Sequence, residues 1–232
     1  MSLNGRPVLA LVPARGGSTG LLRKNLALLG GRPLVEHTLR AALSAERVDA
    51  TYLSSDDPEI LEVGRAVGAQ VVERPAKWAT EDASAADVVR HLIDRLPAAR
   101  RGQDPYVAYL QPTSPMRTAR HIDSAVSLLQ ETSAHSLVSV LRLEKSPFKS
   151  FAINEDGRLQ SLFDEHLSNM RRQDLPETCT PNGAIYVFSV DEFVRRGGFP
   201  SNGSVPFFMS PDESIDIDDA QDLARAERLM GA

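Results

Sequence analysis

The chain has little of what several protein classes need. It carries one cysteine among 232 residues, Cys179, which excludes an internal disulfide and a cysteine-based metal cluster. Its five histidines are scattered, and no two stand at the spacing of metal ligands. No apolar run is long enough to cross a bilayer, and no basic-then-apolar segment opens the chain. We therefore expect no membrane segment and a cytoplasmic location.

Positive charge is also scarce. The 26 Lys and Arg residues are outnumbered by 31 Asp and Glu residues, and the formal net charge is −5. Because nucleic-acid-binding proteins are usually basic, this balance disfavours a nucleic-acid partner and favours small-molecule substrates. The hydrophobic content of 42% and charged content of 25% are ordinary for a globular protein with a large core.

Short apolar runs alternate with helical patterns along the chain. Wholly apolar runs are typical of strands buried on both faces of a parallel sheet. Strands are predicted at 8–12, 50–54, 70–73, 106–110, 137–143, 184–188 and 207–210. Asp57 and Pro58 predict the cap and first residue of a helix, and 181–183 predicts a turn. The alternation predicts an α/β fold with a doubly wound, mostly parallel, Rossmann-like sheet.

This rhythm stops between residues 144 and 181. The segment is richer in charge and turn residues, and its apolar residues form no long helical face. We predict a main domain from 1–143 and 182–232, with 144–181 as an inserted excursion. Its apolar residues need a covering surface, and a second copy of the chain in a homodimer would supply one.

The most informative stretch is the loop after the first strand, PARGGSTGLLRKNL at 13–26. Glycines let backbone N–H groups approach a ligand closely, and successive N–H groups form an anion-binding concavity. With Arg15, Arg23 and Lys24 nearby, the loop suits a polyphosphate. It is neither a Walker A loop nor a GxGxxG motif, and a plain glycine-rich turn with solvated basic residues is the alternative.

A pair of carboxylates stands near the end of the chain, in DESIDIDD at 212–219. In a strand, Ile215 and Ile217 face one way, and Asp216 and Asp218 face the other. Two adjacent acids repel unless a cation lies between them, and Mg²⁺ commonly takes one or two carboxylates together with phosphate and water. The alternative is that Asp218 or Asp219 only caps the helix that follows.

Five strings together resemble the acylneuraminate cytidylyltransferases, the CMP-sialic acid synthetases. They are PARGGS with the following KN, RPAKWATEDAS at 74–84, QPTSPMR at 111–117, PNGAIY at 181–186 and SIDID at 214–218. The resemblance extends from Val8 to Leu229. It implies a fold of the nucleotide-diphospho-sugar transferase type and transfer of CMP from CTP to a nine-carbon α-keto acid sugar. It also implies dimerisation through the excursion, with a basic residue of one subunit reaching the sugar site of its partner. By position, Lys149 and Arg172 are the candidates, and a solvated positive patch is the alternative.

The resemblance assigns roles to residues that the patterns above single out. The residue types in QPTSPMR add Ser114 and Arg117 as polar groups suited to a polyhydroxylated ligand, and the alternative is a well-capped strand-to-helix turn with Arg117 in solvent. The expected site residues are Arg15, Lys24 and Asp218 for catalysis; Arg15, Gly16, Gly17, Ser18, Asn25, Arg74 and Ser84 for the nucleotide, with Asp82 at the family's acidic position; Gln111, Thr113, Lys149 and Arg172 for the sugar; and Asp216 and Asp218 for one or two Mg²⁺ ions.

Two departures bear on the sugar. Thr19 stands where the family usually has lysine, and Thr180 stands where members acting on sialic acid commonly have arginine. Both lost charges would face anions, so a related nonulosonic acid is an alternative to N-acetylneuraminic acid. Two other functions stay open: a sugar nucleotidyltransferase acting on the eight-carbon acid of lipopolysaccharide, and a nucleotide-binding protein without turnover.

Overall fold

The computed structural model of the protein describes residues 3–17, 20–80, 83–200 and 202–231. Its strands are β1 (Val8–Pro13), β2 (Leu28–Leu29), β3 (Arg32–Pro33), β4 (Ala50–Ser55), β5 (Gln70–Glu73), β6 (Tyr106–Tyr109), β7 (Ser136–Arg142), β8 (Phe151–Ile153), β9 (Leu159–Ser161), β10 (Cys179–Ser189) and β11 (Val205–Phe208). Its α-helices are α1 (Leu34–Leu43), α2 (Pro58–Val67), α3 (Ala85–Arg95), α4 (Ala98–Arg101), α5 (Ala119–Thr132), α6 (Glu165–Asn169), α7 (Val190–Arg196) and α8 (Ala220–Met230).

Seven strands form the central sheet, in the order β5-β4-β1-β6-β10-β7-β11. Within it, β10 alone runs antiparallel to its neighbours, β6 and β7. The predicted mostly parallel sheet is therefore confirmed. The chain moves outward from β1 through β4 to β5 and then returns to place β6 on the other side of β1. Open α/β sheets bind ligands at the carboxyl ends of the strands at such a switch point.

Helices cover both faces of the sheet, as predicted. Helices α1, α2 and α5 pack on the face that carries Val8, Ala10 and Val12. Helices α3 and α7 pack on the opposite face, against Leu9 and Leu11. The helix α2 begins as predicted, because the Asp57 carboxylate accepts the N–H groups of residues 59 and 60 and Pro58 follows it. In the part of the chain that the structure describes, no helix combines the length and apolarity that a membrane crossing takes.

The predicted turn at 181–183 is wrong. These residues lie inside β10, where the pairing register with β7 shifts between Pro181 and Tyr186. Gly183 adopts a φ of +78°, a conformation that glycine reaches without a steric penalty. The local sequence has the composition of a turn, but pairing with β7 incorporates it as a bulge in a long strand.

The strand predicted over 212–219 is also wrong, although its alternation is correct. Residues 211–214 form a turn, and 215–218 belong to no strand. Ile215 and Ile217 are buried beside α8 in a cluster with Leu29 and Leu34. The Ile217 N–H donates to the carbonyl of Thr113 at 2.8 Å. Burial of the two isoleucines therefore turns Asp216 and Asp218 outward without a sheet.

The stretch between β7 and β10 contains the hairpin β8–β9 and the short helix α6. Its exposed apolar side chains are Phe151, Ile153, Leu159, Leu162 and Phe163. Residues 179–181, the last three of the predicted excursion, pair with β7 in the central sheet. The division into a main domain and a dimerising excursion stays a prediction.

Candidate active site

A cleft of about 620 Å³ opens at the switch point between β1 and β6. The loop after β1 forms one wall, and the loop after β6 and the 215–218 segment form the other. The predicted site residues that line this cleft are Arg15, Gly17, Lys24, Asn25, Arg74, Gln111, Thr113, Asp216 and Asp218. The geometry thus brings the glycine loop and the acid pair, about 200 residues apart in sequence, to one place.

The glycine loop is held by its own polar contacts. The Asn25 side chain is buried and donates to the carbonyl of Arg15 at 2.8 Å. Arg15 donates to the carbonyl of Thr80 at 3.3 Å, which connects the loop to the opposite rim. The N–H of Gly16, predicted to face a phosphate, donates to the carboxylate of Asp56 at 3.0 Å. Gly17 lines the cleft, and Ser18 and Thr19 lie outside the described residues.

The basic residues of the loop separate into two groups. Arg23 contacts Glu59 at 3.0 Å and Asp57 at 3.3 Å, at the start of α2. Lys24 lines the cleft, and its Nζ lies 2.9 Å from Oδ1 of Asp218. Of the basic residues of the loop, Arg15 and Lys24 line the cleft.

Arg74 lies at the floor of the cleft just beyond β5. Its guanidinium donates to the carbonyl and hydroxyl of Ser54 at 2.6 and 3.2 Å, and to the carbonyl of Trp78 at 3.4 Å. The pKa of Arg74 is lowered, mainly because burial penalises the cation. The predicted Ser84 is instead the N-cap of α3, where its hydroxyl accepts the N–H of Asp87. Asp82 lies outside the described residues.

The two predicted metal ligands face the cleft together. Thr113 and Asp216 line the cleft together, and Lys24 pairs with Asp218. The pKa of Asp216 is raised, first because the surroundings withdraw its carboxyl from water and then because Asp218 lies nearby. The nearby Thr113 and Lys24 side chains lower this pKa and so act in the opposite direction. An added cation between the two acids would favour their charged forms.

This donor set fits a hard divalent cation. Two carboxylates and a threonine hydroxyl offer oxygen atoms only, and Mg²⁺ binds through one or two carboxylates plus substrate phosphates and water. Among residues 3–17, 20–80, 83–200 and 202–231, no group of three or more His, Cys, Asp or Glu side chains could hold a metal by itself. A cation at Asp216 and Asp218 would thus need oxygen atoms from a ligand.

The shifted pKa of Asp216 predicts a pH-dependent stability difference. An acid with a raised folded-state pKa stabilises the fold when protonated, and this contribution is lost as pH rises from the ordinary value, about 3.9, through the raised one. Relative to Asp216→Asn, wild type should lose unfolding free energy across that window. Urea denaturation at several pH values measures it, and parallel curves for the two proteins would contradict the assignment.

Gly20 brings the loop directly against the acid segment. A Cβ atom added at Gly20 would lie well under 3.0 Å from the backbone carbonyl oxygen of Asp218, closer than real side chains approach. The backbones of the loop and of the acid segment therefore touch at this point, and only glycine allows it.

A second cavity of about 380 Å³ adjoins the cleft and shares Gln111 and Asp216 with it. Its other wall is the bulge of β10, with Thr180, Asn182 and Gly183, together with Tyr186 and Ser214. A Cβ atom at Gly183 would collide with the side-chain oxygen of Gln111, so glycine there leaves room for that amide.

Lys149 and Arg172 lie elsewhere in this single chain. Lys149 donates to the carbonyls of Ser168 and Met170, and Arg172 donates to the carbonyl of Glu144. All of these contacts stay within the excursion. The role predicted for the two residues concerns a partner subunit, and it stays a prediction.

Arg117 and Ser114 are not ligand groups, and that suggestion is wrong. Both are buried, and Arg117 donates to the carbonyls of Gln111 and Ala184 at 3.1 and 2.8 Å and to the Thr38 hydroxyl. Arg117 therefore ties the loop after β6 to β10 and α1. Burial lowers the pKa of its guanidinium.

Sequence reasoning missed several residues around the cleft. Asp56 follows β4, which neighbours β1, and the carboxyl ends of neighbouring parallel strands meet at one edge. That rule was sufficient to place Asp56 beside the glycine loop. Tyr186 and Ser214 carried no comparable signal, because their position depends on the bulge of β10 and the turn at 211–214.

The fold, with its cleft at the switch point, is of the Rossmann-like nucleotidyltransferase type. The chain belongs to the cytidylyltransferase family, whose profile matches residues 9–196. The family resemblance of the sequence strings is thereby confirmed.

Individual relatives agree with this membership. The chain is 34% identical over 235 residues to the CMP-N,N'-diacetyllegionaminic acid synthase of Legionella pneumophila, covering 96% of both chains. It is 30% identical over 219 residues to the N-acylneuraminate cytidylyltransferase of Escherichia coli, covering 94% of this chain and 51% of that protein. The chain thus spans about half the length of the N-acylneuraminate cytidylyltransferases it matches.

Two solved structures share the fold at low sequence identity. The CMP:2-keto-3-deoxy-manno-octonic acid synthetase, solved with CTP, matches with a TM-score of 0.70 at 17% identity and covers 97% of this chain and 98% of its own. The 4-diphosphocytidyl-2C-methyl-D-erythritol synthase of Anaerococcus prevotii matches with a TM-score of 0.66 at 13% identity, covering 99% and 98%.

Proposed function

We propose that the protein transfers CMP from CTP to a nonulosonic, sialic-acid-like sugar acid and releases pyrophosphate. One observation carries the proposal: the glycine loop and the acid pair line the same cleft, where Lys24 lies 2.9 Å from Asp218. Family membership and the 34% identity to a CMP-N,N'-diacetyllegionaminic acid synthase support the reaction class. A cytoplasmic location belongs to the same proposal.

The triphosphate would bind along the glycine loop. Gly17 lines the cleft and would offer its backbone N–H, while Arg15 and Lys24 would neutralise phosphate charge. Asn25 and Arg74, on the floor of the same cleft, would contact the cytosine. Ser84 would act indirectly, since its hydroxyl caps the helix whose first turn borders the cleft.

Asp216 and Asp218 would hold Mg²⁺ together with phosphate oxygens. When bound, the cation supplies Lewis-acid stabilisation of the charge that develops on the phosphates. The protein's own groups contribute position and charge. The carbonyl of Thr113 accepts the N–H of Ile217, next to Asp216, and Lys24 is placed to exchange its contact with Asp218 for one with a phosphate.

The sugar acid would occupy the second cavity, with Gln111 and Thr113 at its entrance to the cleft. Its anomeric hydroxyl attacks the α-phosphorus, so the new O–P bond forms as the bond to the bridging oxygen of pyrophosphate breaks. The hydroxyl proton leaves to solvent. Thr180 gives this cavity a neutral wall where members acting on sialic acid commonly have arginine, and a nonulosonic acid other than N-acetylneuraminic acid is an alternative acceptor.

Pyrophosphate release tests the proposal. The protein is incubated with each nucleoside triphosphate, Mg²⁺ and a panel of keto-acid sugars. Release only with CTP and a nine-carbon acid supports the proposal. Release with the eight-carbon acid favours the lipopolysaccharide-type alternative, and nucleotide binding without release under any pairing favours a binding protein.

We further propose that the chain is a homodimer formed through the excursion, with Lys149 and Arg172 reaching the partner's sugar cavity. The exposed apolar side chains of β8, β9 and the following turn support this. Ile153→Asp should convert a dimer into a monomer in sedimentation velocity, because burying a charge without a partner is unfavourable.

Val194→Asp is the matched control. Val194 is also an exposed apolar residue, 64% exposed compared with 76% for Ile153, but it lies on α7. This variant should remain dimeric. A monomeric wild type would contradict the dimer. Equal dissociation of both variants would contradict an interface formed by the excursion.

A further inference from the structure

A buried polar network connects the central sheet to the segment that carries Asp216. Inside the bulge of β10, the side-chain oxygen of Asn182 accepts from the Ser139 hydroxyl at 2.5 Å and from the N–H of Ala184 at 3.2 Å. Ser139 in turn accepts the N–H of Ile185 at 2.7 Å. These contacts fix the bulge to β7.

The same network determines which way the Asn182 amide points. Because a backbone N–H donates to one end of the amide, that end must be the oxygen, and the NH₂ group must face the other way. There it donates to the Ser214 hydroxyl at 2.8 Å. Asn182 is only 9% exposed, so water offers little competition for either end of its amide.

Ser214 stands two residues before Asp216 and is followed by the buried Ile215. On the far side of Asp216, the N–H of Ile217 donates to the carbonyl of Thr113 at 2.8 Å. The segment that carries Asp216 is therefore attached on both sides. Ser214 contacts the β10 bulge, and Ile217 contacts the loop after β6. Ser214 and Asp216 also both line the second cavity.

We propose that Asn182 and Ser214 are positioning residues for Asp216, which they hold at the boundary between the nucleotide cleft and the sugar cavity. This inference rests on the proposed metal role of Asp216. Closing the bulge does not explain the Asn182–Ser214 contact, because the oxygen of Asn182 and the Ser139 hydroxyl already satisfy the bulge. The NH₂ group of Asn182 therefore serves the contact with the segment that carries Asp216.

Ser214→Ala tests this with Ser204→Ala as a matched control. Ser204 also makes a partly buried side-chain hydrogen bond of 2.8 Å, to Ser136 at the opposite end of β7. Mn²⁺ is titrated into each protein in the presence of CTP without acceptor, and bound metal is counted by electron paramagnetic resonance. The melting temperature and the KM for CTP at saturating Mg²⁺ are measured alongside.

Ser214→Ala should weaken Mn²⁺ binding about three- to tenfold, the range expected for one lost hydrogen bond. Ser204→Ala should bind Mn²⁺ like wild type while losing similar thermal stability, and Ser214→Thr, which keeps the hydroxyl, should restore binding. Equal Mn²⁺ affinity in Ser214→Ala and wild type overturns the positioning role. A wild type that binds no Mn²⁺ with CTP overturns the metal proposal itself, and the two failures are therefore distinguishable.

Discussion

Asp218→Asn should lower kcat for pyrophosphate release by about a hundredfold to a thousandfold, the effect typical of removing one charge-stabilising group from an active site. The substitution keeps the shape of the side chain and removes its charge. Asp218 faces the cleft, and its side chain is 76% exposed, so folding has little need of it. Stability should therefore change little while turnover falls.

Asp219→Asn is the matched control, because it makes the same chemical change one residue further along. The Asp219 carboxylate accepts the N–H groups of Gln221 and Asp222 and caps α8. Asparagine caps a helix about as well as aspartate, so this variant should keep both stability and activity. Similar losses in the two variants would mean that general charge, and not the position of Asp218, matters.

Nucleotide binding in the absence of metal shows whether the fall in kcat of Asp218→Asn comes from a lost metal ligand or from damage to the cleft. With a chelator present, Asp218→Asn should bind CTP as well as wild type or better, because one negative charge near the triphosphate is gone. Calorimetric titration of CTP measures this. Weaker metal-free binding by the variant would indicate that Asp218 maintains the cleft, for example through Lys24, and is not a metal ligand.

Local signals in the sequence predicted the elements whose structure is determined locally. The first strand and the Asp57–Pro58 start of α2 depend on side chains within a few residues of one another. The mostly parallel sheet followed from the order of these elements, since consecutive strand, helix and strand units form parallel pairs. The cleft position followed in turn from the switch point.

Contacts between distant residues decided the features that the sequence did not reveal. The string PNG at 181–183 has turn chemistry, but β7 recruits it into a strand. Arg117 was expected to face a ligand, yet it donates to the carbonyl of Ala184, 67 residues away, and is buried. At 212–219 the predicted alternation of inward isoleucines and outward acids was correct. Packing of the isoleucines against helix α8 and Leu29 produces this alternation, and strand pairing does not.

Gly20→Ala should lower kcat/KM for CTP about a hundredfold, since a displacement of about 1 Å near the chemistry has an effect of that order. The new Cβ would fall well under 3.0 Å from the backbone carbonyl oxygen of Asp218. The backbone around Asp218 has little freedom to move. Ile217 is buried on one side, and the Asp218 N–H donates to the Asp222 carboxylate at 3.0 Å on the other. The glycine loop must therefore move away from the acid pair.

Gly198→Ala separates this displacement from the general effect of the substitution. No atom lies within 4 Å of a Cβ at Gly198, which follows α7 away from the cleft, and the change should leave kcat/KM unaltered. Thermal melting of both variants checks their folding. If Gly20→Ala keeps full activity and a normal melting temperature, the loop and the acid segment do not need their close approach for the reaction. The cleft would then have to close differently around the nucleotide. The distance between Lys24 and Asp218 in the active enzyme would differ from the one seen here.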